Sequence, residues 1–60
     1  MNKEKFLKIY ANLPLGLRED IVLVLDGRGP LTWNAAYLEV SNDTELSQTI
    51  LEKLVNLKIN

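Results

Sequence analysis

The sequence has no cysteine and no histidine. Their absence excludes disulfide staples, thiolate nucleophiles, haem attachment through cysteine and the common structural zinc sites. Long apolar runs are missing too. The longest is Ile21-Val22-Leu23-Val24-Leu25, far short of the ~20 residues that cross a membrane. The opening Met1-Asn2-Lys3-Glu4-Lys5 carries charges of both signs, and Lys8 interrupts the apolar residues behind it. No secretory h-region follows, so the expected compartment is the cytoplasm. Aromatic residues are sparse: one Trp, one Phe and two Tyr.

What is present is an ordinary soluble composition, 47% hydrophobic and 25% charged, with a formal net charge of −1 over 60 residues. That length allows one domain, expected to span residues 1–60. A chain so short buries only roughly 60% of its unfolded surface. Without staples it relies on well-packed helices or on oligomerisation.

Two breaks divide the chain, Leu13-Pro14 with Gly16 and Asp26-Gly27-Arg28-Gly29-Pro30, and Ser41-Asn42-Asp43-Thr44 is a weaker third. Before the first break, Phe6, Ile9, Tyr10 and Leu13 repeat at i, i+3, i+4 and i+7, which predicts a helix over residues 3–11. Residues 14–26 support two readings. As a helix, Pro14 occupies the first turn and Leu17, Ile21, Val24 and Leu25 form an inward stripe. As a strand, residues 21–25 precede an Asp-Gly turn. The helix is preferred, because Asn34-Ala35-Ala36 is poor material for a partner strand.

Residues 32–41 read as a helix capped by Thr32, with Trp33, Ala36, Tyr37 and Val40 on one face. Residues 43–58 read as the longest helix. Asn42 and Glu45 resemble a capping box, with Thr44 as an alternative cap. Leu46, Ile50, Leu54 and Leu57 form its inner row, and Glu45 and Lys58 suit the helix dipole.

The order Leu13-Pro14, Leu17-Arg18, Asp26-Gly27, Thr32-Trp33-Asn34 and Asn42-Asp43-Thr44-Glu45-Leu46, closing on Ile50-Leu51 and Leu54, resembles a family of small uncharacterised microbial proteins. The resemblance implies a stand-alone domain and brings no activity, cofactor or site residue with it.

Candidate site residues come from the residue types themselves. Arg28 sits between two glycines, where a guanidinium fork could grip a carboxylate or phosphate. The Lys-Ser/Thr of a phosphate loop is absent, so a tight turn with a solvated Arg is the simpler reading. Trp33 and Tyr37 follow closely. Trp, Tyr and Arg dominate interface hot spots, and Arg28, Trp33 and Tyr37 would form one patch if the loop folded over the helix. The competing role for Trp33 is as the largest core side chain. Glu39, Asp43 and Glu45 cluster in sequence, but they read as a solvated acidic face and first-turn helix charges, with no EF-hand spacing. No cofactor or metal is expected.

Nucleic acid is disfavoured by charge. A helix beginning at Thr32 contains no Lys or Arg, and phosphate neutralisation supplies most non-specific affinity. Lys3, Lys5 and Lys8 form the only basic patch. Catalysis is disfavoured because no nucleophile–base pair is present and the scaffold is too small for a preorganised pocket.

The expected fold is mostly α, a bundle of three to four short helices, with a hairpin pairing residues 21–25 and 31–33 as the alternative. The expected core is Phe6, Ile9, Tyr10, Leu17, Ile21, Leu25, Trp33, Tyr37, Val40, Leu46, Ile50, Leu54 and Leu57. The expected function is protein–protein interaction, with another protein or with itself. The last helix has an apolar stripe wider than one neighbour covers, so Leu51 and Val55 would be left at its edge for a homodimer. A nucleic-acid-associated regulator using the basic first helix is the alternative.

Overall fold

A computed structural model describes residues 1–56. The elements are three α-helices, α1 (Lys3–Ala11), α2 (Trp33–Ser41) and α3 (Glu45–Asn56), and a hairpin of β1 (Ile21–Leu25) and β2 (Gly29–Thr32) that packs against α2. A 3-10 helix, Leu15–Glu19, links α1 to β1. The fold is therefore mostly helical with one antiparallel strand pair.

The helix ends follow from short polar side chains. The Asn2 side chain accepts from the Lys5 backbone N–H at 2.8 Å, and Thr32 accepts from that of Ala35 at 3.1 Å. Each satisfies an N–H that the first turn leaves unpaired. At the opposite ends, Asn12 and Asn42 donate their side-chain amides to the Lys8 and Leu38 carbonyls, at 2.9 and 2.8 Å.

Asn42 thus closes α2 rather than capping α3. Asp43 then adopts a left-handed φ of 53°. Its N–H reaches the Val40 carbonyl, and the Thr44 N–H reaches that of Glu39, the bond pattern of a Schellman stop with Asp where Gly is usual. Thr44 immediately precedes α3, but its hydroxyl donates to the Glu39 carboxylate at 2.6 Å. Its carbonyl, not its side chain, takes the Ser47 N–H and hydroxyl.

Residues 14–26 do not form the helix that the apolar spacing favours. One short 3-10 stretch follows Pro14, and the β-branched run then extends as a strand. The missing partner strand is supplied by Gly29–Thr32, one step earlier than the unsuitable Asn34-Ala35-Ala36. Arg28 N–H closes the turn onto the Leu25 carbonyl at 3.2 Å. Gly27 and Gly29 both take positive φ, 82° and 84°, which a side chain would resist.

The ladder pairs Leu23 with Leu31, Val24 with Pro30 and Leu25 with Gly29, but its register steps between Ile21 and Leu23. An extra residue in one strand reverses the alternation beyond it. Leu23 and Leu25 therefore face the core while Ile21, in phase with them by sequence, is turned outward.

The core consists of Phe6, Leu23, Leu25, Ala36, Val40, Ile50, Leu51 and Leu54. Tyr10, Trp33, Tyr37 and Leu46 are half-buried and pack against it, as do Met1, Leu7, Val22 and Leu31. Ile9 is half-buried. Leu17 and Ile21 are exposed, because the helix that would have turned them inward does not form. Leu57 and Lys58 lie outside the described residues.

Candidate functional site

The residues proposed as one patch around Arg28 are distributed over two places. Trp33 stacks on Phe6, ring centroids 5.9 Å apart. Tyr37 stacks on Tyr10 at 4.3 Å and 12° between planes. Both rings tie α2 to α1. Arg28 stands exposed in the hairpin turn, and its side chain has no hydrogen-bond or ion-pair partner among the described residues.

The arginine that does meet the aromatic rings is Arg18. Its guanidinium lies 4.4 Å from the Tyr10 ring centre and donates to the Tyr10 carbonyl at 3.3 Å. Such a distance is within the range of a cation–π attraction. Arg18 Nε is buried without a partner, a cost the ring contact helps to offset. Tyr10 in turn donates its hydroxyl to Asn34, and Asn34 donates to Glu19 at 2.9 Å. Tyr10, Arg18, Asn34 and Glu19 thus clamp the 3-10 helix between α1 and α2. The Leu13-Pro14 break brings Arg18 back towards Tyr10, a contact that no repeat in the sequence marks, whereas the flanking glycines single out Arg28.

The clamp explains where apolar surface is left. With the 3-10 helix held by its polar side, its leucines face outward: Leu15 is 77% and Leu17 45% exposed. Ile21 and Val24 of β1 follow at 58% and 62%. Among the described residues the strand pair is the whole sheet, so β1 has β2 on one side and no strand on the other. An open edge presents unpaired backbone groups to any extended chain.

Leu51 does not line an exposed row on α3. It is 7% exposed and belongs to the core, while Val55 is 50% exposed. Met1 packs against the core and shares a shallow hollow with Leu51 and Val55, which covers the side of α3 that the sequence left unpartnered. Among the described residues the wide stripe of α3 is thus absorbed within the chain, apart from Val55.

The charged clusters are also placed. Lys3 pairs with Asp43 at 2.8 Å, which lowers the charge that α1 can offer a phosphate. Glu39 is engaged by Thr44. Among the described residues no group of three or more His, Cys, Asp and Glu side chains is arranged to hold a metal ion, and no helix is long and apolar enough to cross a membrane. No protein-family model matches the chain, and no curated protein or solved structure shows significant similarity to it.

Proposed function

We propose that the protein is a small cytoplasmic protein–protein interaction module that works by binding rather than by catalysis, through the surface formed by the 3-10 helix and β1. One observation carries this reading. Leu15, Leu17, Ile21 and Val24 stand exposed over a short stretch that ends in an open strand edge. Scattered exposed apolar side chains need no explanation, but a concentration of them beside unpaired backbone groups is costly to leave in water. The binding mode that suits it is strand addition, in which backbone bonds supply affinity and side-chain pockets supply selectivity. Arg28, in the adjoining turn, would act as a rim charge, and Val55 lies outside this surface. Trp33 and Tyr37 support it from behind, by fixing α2 against α1.

Photo-crosslinking tests the proposal. A benzophenone amino acid replacing Val24 is compared with one replacing the exposed Gln48 on α3. The expected result is an adduct of one defined mass at position 24, suppressed by excess unlabelled protein and absent at position 48. Equal, uncompeted labelling at both positions would remove the proposal.

A further inference from the structure

The hairpin turn holds a reactive pair of residues. Asp26 and Gly27 are both exposed. Arg28 N–H closes the turn on the Leu25 carbonyl at 3.2 Å. Among the described residues neither the Asp26 carboxylate nor the Gly27 N–H has a hydrogen-bond or ion-pair partner. Gly27 carries no Cβ, and no atom lies within 4 Å of where one would stand. A carboxyl carbon next to an unbonded, uncrowded amide nitrogen is close enough to form a five-membered ring, with proximity in place of an external reagent.

Other Asp and Asn residues are shielded. The N–H that follows Asn12, Asn42 and Asp43 is held by the Tyr10, Val40 and Glu39 carbonyls, and the one that follows Asn34 by the Thr32 hydroxyl at 3.1 Å. Asn2 gives its side-chain oxygen to the Lys5 N–H. Asp20 is followed by Ile21, whose branched side chain crowds the nitrogen.

We propose that Asp26-Gly27 is a self-modification site, at which Asp26 converts to an isoaspartyl residue. The Gly27 nitrogen bonds to Asp26 Cγ. A carboxyl oxygen leaves as water, with the amide proton and a proton from solvent, and a succinimide ring results. Water then re-enters at one of the two ring carbonyls. Opening at Cγ restores Asp26. Opening at the main-chain carbonyl breaks its bond to nitrogen, leaves that carbon as a carboxylate and runs the chain through Cβ and Cγ. Nothing is oxidised or reduced, the lost water is regained and the charge is kept. The rerouted turn is one backbone atom longer. Leu25, just before it, is buried in the core and pairs with Gly29, so the added length acts directly on the hold of the hairpin on the helices.

The experiment keeps the whole chain in warm neutral buffer made with heavy-oxygen water, then digests it and separates and weighs the peptides. The peptide carrying Asp26 is expected to split into two forms of equal mass, each with one oxygen replaced. The rate is expected to lie within about tenfold of that in urea, because folding leaves the pair open. The purified isoaspartyl chain is expected to melt below the natural one. Gly27→Ala is expected to slow the conversion roughly tenfold or more, by setting a Cβ beside the nitrogen. If that variant fails to fold, Asp26→Glu decides: it keeps the charge, its longer side chain closes the ring poorly, and it is expected to take up no heavy oxygen. No uptake at Asp26 in the folded chain, a folded rate more than about tenfold below that in urea, undiminished uptake in either variant, or earlier uptake at another described Asp or Asn would overturn the proposal. An isoaspartyl chain that melts with the natural one would overturn its effect on the hairpin.

Discussion

The helical part of the chain and its hairpin part solve the burial problem differently. Six of the eight buried core residues, Phe6, Ala36, Val40, Ile50, Leu51 and Leu54, come from the helices, which spend their apolar faces on one another. The stretch from Leu15 to Val24 contributes only Leu23 to that core and leaves four large apolar side chains exposed. A helix can turn a whole stripe inward, whereas one sheet face of a two-stranded hairpin has nothing to cover it. The difference places most of the buried core in the helices and, among the described residues, four of the six exposed large apolar side chains between Leu15 and Val24.

The most severe way to break that comparison is to truncate one residue in each part. Ile50→Ala is expected to cost about 2–5 kcal/mol, from lost transfer energy and the cavity left behind. That is a large share of the ~5–15 kcal/mol typical of a domain. Val24→Thr is expected to stay within about 0.5 kcal/mol when measured dilute, because the side chain is already largely in water. Urea denaturation with an unchanged m-value reads both. Equal losses would show that the hairpin face is covered after all.

The hairpin has its own weak points, and these are backbone rather than packing. Gly27→Ala and Gly29→Ala are each expected to lose about 1–2 kcal/mol, the cost of a side chain at left-handed φ. No atom lies within 4 Å of the Cβ position at either, so crowding contributes nothing. Gly16 also has open space and ordinary φ, and Gly16→Ala is expected to be neutral or slightly stabilising. Thermal melts separate the three. A loss at Gly16 equal to that at Gly27 would remove the turn geometry as the cause.

How much of this was legible follows the same division. The i, i+3, i+4, i+7 spacing located α1, α2 and α3, and Thr32 was readable as a cap, because those signals are local. Residues 14–26 fit a helical stripe and a strand almost equally, and a partner strand read from Leu31 onward begins two residues after β2 does at Gly29. Strand pairing is a property of two segments, so neither segment announces it alone. Ile21 illustrates the limit: only the register step at Val22 sets which way it points. Leu51 was misplaced because the width of a stripe does not say how many neighbours will cover it. Arg18 was passed over for Arg28, since glycines draw attention to a loop while a ring contact across a proline turn leaves no repeat to detect.

The clamp between the two parts is the next smaller effect. Arg18→Lys keeps the charge but loses the planar face over Tyr10 and the guanidinium hydrogen bond to its carbonyl. A loss of about 1 kcal/mol is expected, and it should shrink in a Tyr10→Leu background, where the ring is already gone. A double-mutant cycle measures that coupling. Additive losses would mean that Arg18 and Tyr10 act independently and that the 3-10 helix is held by Asn34 and Glu19.

The smallest effect lies wholly within the helical part and tests whether charge contributes to its cohesion. Lys3 and Asp43 join the start of α1 to the corner between α2 and α3 across 2.8 Å, with side chains 41% and 71% exposed. Exposed pairs of this kind couple by roughly 0.2–1 kcal/mol, and salt screens them. Asp43 also sits at left-handed φ, where Asp and Asn are tolerated and most other residues are not. Asp43→Asn therefore removes the charge while keeping the backbone preference, and Lys3→Met removes the other partner. The cycle built from these two is expected to show a coupling of a few tenths of a kcal/mol, as for other exposed pairs, that vanishes in molar sodium chloride. Asp43→Ala, by contrast, should lose more than Asp43→Asn at every salt concentration, because the left-handed turn is then strained as well. If Asn and Ala cost the same, the Schellman stop places no demand on this residue and the ion pair is its whole contribution.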